Sequence, residues 1–246
     1  MQPGPIPFDA LEAVFFDAGN TLIHWDHDYV GERAVALGFA LDPAGLVRAE
    51  AAARPLLDRI LSGGRSTETL DTMTAWLECM LEVGLAADLL PAERQRFVSQ
   101  LAAALGSPEG SDRLWSRVPP GLPESLSRLR DAGLTLVVVS NSDGSIERKL
   151  REAGLRDSFH GVVDSAVVGV EKPDPEIFRH ALARSGCAPE RTLHVGDLYA
   201  IDVVGARRAG LHAALVDPHG DWHDVDCPRF ADVTSLARAI LAAKRG

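Results

Sequence analysis

The chain has 246 residues, 46% of them hydrophobic and 24% charged. That is enough apolar content for one large core or two smaller ones, and too much for a disordered or fibrous chain. Its 25 basic against 35 acidic residues leave a formal net charge of -10, which argues against nucleic acid or an anionic membrane as the main partner while permitting a small phosphorylated molecule bound beside a metal ion.

Residues 12–16 read as a short buried strand running into Asp17. From His24 to Trp115 the spacing of apolar residues is helical, with no strong strand signal. "HWDHDYVGERAVALGF", "DPAGLVRAEAAARPLLDRIL", "TLDTMTAWLECMLEVGL" and "LLPAERQRFVSQLAAAL" each predict a helix, the last with Pro91 suited to its start. Pro119, Pro120 and Gly121 then mark a boundary. Beyond it helices and apolar strands alternate: a helix over 122–132, the strand "LTLVVVS", a helix over 145–153, a strand or extended segment in "GVVDSAVV", and a helix over 175–185. The strand "RTLHVGD" follows, then a helix over 201–209, the strand "HAALVD" and a terminal helix over 236–243 capped by Thr234 or Ser235. This order predicts a doubly wound α/β domain with a parallel sheet, assembled from residues 1–22 and 117–246, with residues 23–116 inserted as a helical domain.

Cys79, Cys187 and Cys227 are scattered and odd in number, with neither zinc spacing nor a disulfide framework. The opening "MQPGPIPFDA" has no basic segment leading into an apolar run, and no stretch is apolar enough to span a bilayer. A reducing cytoplasm and a monomer are the expectations.

Ligands of open α/β sheets bind beyond the carboxyl ends of the strands. Three predicted strands end there in polar groups: Asp17 on the first, Ser140 and Asn141 on the second, Asp197 on the third with Asp202 one turn later. Lys172 lies in the intervening loop. Each alone is explained as a turn, cap or surface residue. Together they fall on one edge, where buried carboxylates must be paired or bound to metal. Asp17 and Asp197 are oxygen ligands of the kind magnesium prefers. Ser140 and Asn141 can donate to phosphoryl oxygens, Lys172 can neutralise the transferring group, Thr21 can orient Asp17 or contact phosphate, and Asp17 can attack phosphorus.

These residues resemble, in order, four motifs of the haloacid dehalogenase-like (HAD) hydrolase superfamily: "FFDAGNTL", "VVVSNSDG", "EKPDPEIF" and "HVGDLYAIDVVGARRAG". The "DAGNT" spelling of the first is similar to that of the domain-containing protein 3 group of HAD-like hydrolases. The resemblance implies a Rossmann-like core, a helical C1-type cap, magnesium as cofactor and phosphatase activity. It places Asp17 as nucleophile, Thr21, Ser140, Asn141 and Lys172 around the phosphate, and Asp17, the Gly19 carbonyl, Asp197 and Asp202 at the metal. Family phosphatases carry a general acid–base aspartate two residues after the nucleophile, where this chain has Gly19. Such help is worth roughly 10²–10⁴-fold, so turnover is expected to be slow, limited to good leaving groups, or dependent on a substitute. His24, Asp26 and His27 lie nearby but read better as linker residues.

Two other branches also lack that aspartate. The phosphonate hydrolases use a cap lysine, and the only lysines here are Lys149, Lys172 and Lys244, none in the inserted block. The 2-haloacid dehalogenases typically have a neutral residue where this chain keeps Asp197. They, and a phosphate-binding module without turnover, are the alternatives. In the inserted block Trp25, Tyr29, Arg33, Arg54, Arg59, Arg65, Trp76 and Met80 are candidates for selectivity. A solvated basic face is expected for Arg54 and Arg59, and core packing for Trp76 and Met80. His194 is expected to be buried structure. The segment "DPHGDWHDVDCP", with His219, Asp221, His223 and Asp224, reads as a surface loop without metal spacing.

Overall fold

The computed structural model describes residues 5–64, 66, 67 and 69–245. Arg65 lies outside them. The chain divides into two compact units, Met1–Ile23 with Val118–Gly246, and His24–Arg117. Strand β1 (Ala13–Phe16) opens the first. The second contains β2 (His24–Trp25), α1 (His27–Ala36), α2 (Pro43–Leu61), α3 (Leu70–Glu82), α4 (Pro91–Leu105), α5 (Pro108–Leu114) and β3 (Trp115–Arg117). The first unit resumes with α6 (Leu122–Asp131), β4 (Thr135–Ser140), α7 (Ile146–Glu152), β5 (Gly161–Asp164), α8 (Ser165–Val168) and α9 (Pro175–Ser185). It ends with β6 (Thr192–Gly196), α10 (Val204–Arg208), β7 (His212–Val216), β8 (Arg229–Phe230) and α11 (Val233–Ala243).

The six strands of the first unit form one sheet in the order β5-β4-β1-β6-β7-β8. Every neighbouring pair is parallel. Helices cover both faces of such a sheet, which is why its strands are apolar without alternation. All four residues of β1 and Leu136–Val139 of β4 are fully buried. The helices turn single apolar stripes inward: Leu122, Leu126 and Leu129 on α6, Ile177, Phe178 and Ala181 on α9, Leu236, Ala237 and Ile240 on α11. Helix α9 lies against β4 and β5, and α11 packs on α6.

Three details of this unit differ from the sequence reading. "GVVDSAVV" breaks at Asp164, whose carboxylate accepts from Ala166 N and starts the short helix α8. The helix expected over 201–209 is a π-helical turn, Tyr199–Val203, followed by α10. The last helix begins at Val233, capped by Asp232 in a capping box with Ser235 rather than by Thr234 or Ser235.

In the second unit α2 packs on α3 and α3 on α4. Pro43 and Pro91 occupy first-turn positions, where a missing N–H is harmless. Strands β2 and β3 pair antiparallel, with Trp25 opposite Trp115. This pair was not expected, because strands of two or three residues carry no readable period. Trp25 packs 4.9 Å from Trp76 and edge-on to Trp115. Trp76 and Met80 are core, as their spacing suggested. Arg59 is exposed. Arg54 is buried and donates twice, at 3.0 Å, to Glu50 one turn back, so it is an internal ion pair instead of part of a solvated face. Among the described residues no helix is long and apolar enough to cross a membrane.

Candidate active site

Strand β1 lies between β4 and β6, with Phe16 level with Val138 and Val195. Asp17 extends this ladder by one residue, its N–H donating to Val195 O at 2.9 Å. Its side chain therefore emerges at the carboxyl edge of the sheet's centre. Ser140 ends β4 and Asp197 follows the end of β6, so the three strand-end groups expected from the sequence share this edge. Asp17, Ser140 and Asp197 remain buried there, at 8%, 4% and 4% exposure.

Lys172 joins them from the loop before α9. Its ammonium donates to Asp17 Oδ1 at 2.5 Å and to Asp202 Oδ1 at 2.7 Å. Asp202 also accepts from Leu198 N through Oδ2 and lies 3.0 Å from His194 Nε2 through Oδ1. Asp202 thus has three hydrogen-bonding partners, and the structure gives it the task of anchoring Lys172. Burial opposes the charge on Lys172, but attraction and hydrogen bonds from Asp17 and Asp202 outweigh it and hold the pKa above the ordinary lysine range. Burial also opposes the charge on Asp202, yet Lys172 and His194 keep its pKa below the usual carboxylate range. Asp17 goes the other way. Burial, with repulsion from Asp202, pushes its pKa up to about 6 despite Lys172. Of the two carboxylates on this ammonium, Asp202 is the better satisfied and holds its charge.

Two glycines make this packing possible. A Cβ on Gly196 would stand 2.1 Å from Asp202 Cγ. One on Gly205 would stand 2.9 Å from Pro173 Cα and from the Phe178 ring. The first lets Asp202 fold over the end of β6. The second lets α10 seat against the turn carrying Lys172.

Asn141 clamps the Lys172 backbone, accepting from Lys172 N at 2.7 Å and donating to Lys172 O at 3.0 Å. An amide NH₂ has two donors, so one remains for a ligand. Ser140 Oγ donates to Asn141 O at 3.1 Å. Two residues not singled out in the sequence hold the following loop. Asp164 accepts from Gly144 N, Ile146 N and Ala166 N, and Ser165 clamps Ser142 through its N–H and C=O. The signal was the Asp-Ser pair inside "GVVDSAVV", a helix-start pattern masked by β-branched neighbours.

The turn after Asp17 is compact. Ala18 O accepts from Leu22 N and Ile23 N at 2.9 Å, and Asn20 takes a left-handed φ of 52°. Thr21 Oγ1 is buried with no hydrogen-bond partner, which leaves a hydroxyl next to the nucleophile position for a ligand oxygen. Asp26 caps α1 and accepts from Arg117. His27 faces Glu50 at 3.9 Å, its pKa lowered by burial. Asp26 is thus employed within its own unit, whereas His27 Nε2 is buried without a hydrogen-bond partner. The segment after β7 is tied down by Asp217, which accepts from Asp221 N, Trp222 N and Arg229. Among the described residues no three His, Cys, Asp or Glu side chains form a ready-made metal site.

The donor set nevertheless fits magnesium. That ion is held through one or two carboxylates and retains several waters, and Asp17 and Asp197 supply two carboxylates on adjacent strands. Asp17 and Asp202 already share the Lys172 ammonium, and Asp197 adds a further carboxylate at the same sheet edge, negative charge that a cation would offset.

A parallel sheet with a buried aspartate–lysine pair at the carboxyl edge of its central strands defines a Rossmann-like α/β enzyme. The sequence pattern of the haloacid dehalogenase-like hydrolases matches residues 11–210. The chain belongs to that family and is a hydrolase. It is 31% identical over 210 residues to human haloacid dehalogenase-like hydrolase domain-containing protein 3, covering 84% of this chain and 82% of that one. It is 33% identical over 241 residues to a glyceraldehyde 3-phosphate phosphatase of Methanothermobacter thermautotrophicus, covering 94% of this chain and all of that one. A Thermococcus onnurineus HAD phosphatase superposes with TM-score 0.59 at 22% identity, over 96% of this chain and 100% of that one. A Pseudomonas syringae 2-haloacid dehalogenase does so with 0.55 at 23%, over 94% and 98%. Phosphatase and dehalogenase share this fold about equally, so the choice between them rests on the site.

Proposed function

We propose that this protein hydrolyses a small phosphomonoester, with magnesium, through an aspartyl-phosphate on Asp17. The observation that carries the reading is the contact of Asp17 with Lys172 at 2.5 Å, at the sheet edge where Asp197 follows the neighbouring strand β6. The match to a glyceraldehyde 3-phosphate phosphatase along nearly the whole chain supports it. An Asp17 oxygen attacks phosphorus as the bond to the leaving oxygen breaks. Lys172, Thr21 Oγ1 and the remaining Asn141 N–H supply positive charge and donors to the phosphoryl oxygens. Ser140, whose hydroxyl donates to Asn141 O, steadies that loop and would turn its O–H to the phosphate only by giving up this bond. Water then attacks phosphorus, the bond to Asp17 breaks, and inorganic phosphate leaves. Magnesium held by Asp17, the Gly19 carbonyl and Asp197 would neutralise phosphoryl charge, with Asp202 contributing mainly through Lys172.

Gly19 provides no proton for the leaving oxygen, so that proton comes from solvent and good leaving groups are favoured. The intact, buried Asp197 disfavours a dehalogenase, because it would repel a substrate carboxylate. The second reading is a phosphate-binding protein without turnover, favoured by Gly19 alone. A panel of phosphomonoesters assayed with magnesium and with chelator tests the proposal. Magnesium-dependent phosphate release, abolished in Asp17→Asn, is expected. Phosphate binding by calorimetry without release from any ester would establish the second reading instead.

A further inference from the structure

His194 sits on β6 at 0% exposure, its ring edge-on to Phe178 with centroids 4.9 Å apart. Nε2 lies 3.0 Å from Asp202 Oδ1, the same oxygen that accepts from Lys172. An ionised carboxylate only accepts, so the contact requires the proton on Nε2. With that proton on Nε2, the neutral ring presents Nδ1 as an acceptor. Nδ1 is buried with no partner. An unsatisfied buried acceptor is unfavourable by about 1–3 kcal/mol, and a leucine or phenylalanine against Phe178 would avoid that penalty. Packing therefore does not account for a histidine here; the bond to Asp202 does.

We propose that His194 is a positioning residue whose Nε2–H fixes the rotation of the Asp202 carboxylate, so that Oδ1 holds the Lys172 ammonium against Asp17. Three groups share the task. Leu198 N pins Oδ2 at 3.0 Å, Gly196 leaves room for the carboxylate over the strand, and His194 sets Oδ1 from beneath the sheet edge. Without His194 the carboxylate keeps one backbone tether and can swing, and Lys172 follows it. The consequence for turnover rests on the phosphatase reading above. The consequence for Lys172 does not.

The test uses His194→Leu, which removes both ring nitrogens, and His194→Gln, whose amide NH₂ can replace the Nε2 donor. Removal of an outer partner of a functional group typically lowers activity about 10–100-fold. His194→Leu is expected to lower kcat by that factor with KM changed less than about threefold, and His194→Gln to recover most of the loss. Thermal melts of both variants establish that they fold. The protein has only three lysines, so ¹⁵N-lysine labelling resolves the Lys172 Nζ resonance independently of activity. That resonance should shift and exchange faster in His194→Leu and return towards its original position in His194→Gln. An unmoved Lys172 resonance in folded His194→Leu overturns the proposal, as does a moved resonance with unchanged kcat. If the unaltered protein releases no phosphate from any ester, the phosphatase reading fails by itself, and the Lys172 resonance still decides whether His194 positions it.

Discussion

Replacing Asp17 by asparagine should make the metal-free protein more stable while abolishing its turnover. Burial and Asp202 raise the Asp17 pKa from an ordinary 3.8 to about 6. The folded protein therefore holds this proton to higher pH than the unfolded chain does. Stability attached to the group is present below the unfolded value and is lost as pH rises through the folded one. The full difference converts to about 3 kcal/mol at 1.36 kcal/mol per unit, and relaxation of the site reduces the observable effect to about 1–3 kcal/mol. Asparagine carries no such penalty. In chelator at pH 7.5, Asp17→Asn should raise the urea midpoint accordingly, and the advantage should shrink steadily as the pH falls towards 4. Saturating magnesium should close the gap at pH 7.5, because the ion stabilises the ionised wild-type site. Paired urea titrations across pH, with phosphate release measured on the same samples, are the assay. A variant less stable than wild type at pH 7.5 in chelator, or a stability difference that ignores pH, would refute the reasoning.

Three further outcomes follow from the same geometry. Lys172→Met leaves Asp17 and Asp202 facing each other without a cation. Breaking a buried pair typically destabilises by about 3–5 kcal/mol, so a loss of that order in urea melts and no measurable turnover are expected. Gly196→Ala pushes a Cβ into the Asp202 carboxylate, 2.1 Å away. Such overpacking is destabilising by roughly 1–3 kcal/mol, and kcat should fall with it. Gly19→Asp restores a carboxyl where family phosphatases have one, and Gly19 is not among the residues with left-handed φ. Turnover of alkyl phosphates should rise more than that of p-nitrophenyl phosphate, up to roughly the 10²–10⁴ that acid–base help supplies. Equal gains on both esters would show that proton donation was not what the site lacked.

Much of the core unit was legible because its strands are long apolar runs bounded by glycine, proline or polar residues. "LTLVVVS" and "RTLHVGD" needed only burial on both faces to be read as parallel strands. The elements that escaped were short. Strands β2, β3 and β8 have two or three residues each, too few to show a period. Helix α8 hid in a β-branched run because the start signal, Asp164, looked like one more strand residue. In the site, the edge shared by Asp17, Ser140 and Asp197 was visible because successive parallel strands must end on the same side. The partners of Asp202 were not, since neither a hydrogen bond from His194 eight residues away nor one from Lys172 thirty residues away leaves a local pattern.

By itself the amino-acid order determined which side chains stand at the sheet's carboxyl edge, because strand direction and the period of burial are local properties. It also determined that position 19 has no acid–base group, since a missing side chain is missing in any fold. Only the tertiary structure decided how those groups divide their work: Asp202 holds Lys172 against Asp17, Asn141 grips the Lys172 backbone, and His194 backs Asp202. The reason is physical. Charge state and hydrogen-bond allegiance depend on distances of about 3 Å between segments far apart in the chain, and those distances exist only once the sheet has closed and expelled water.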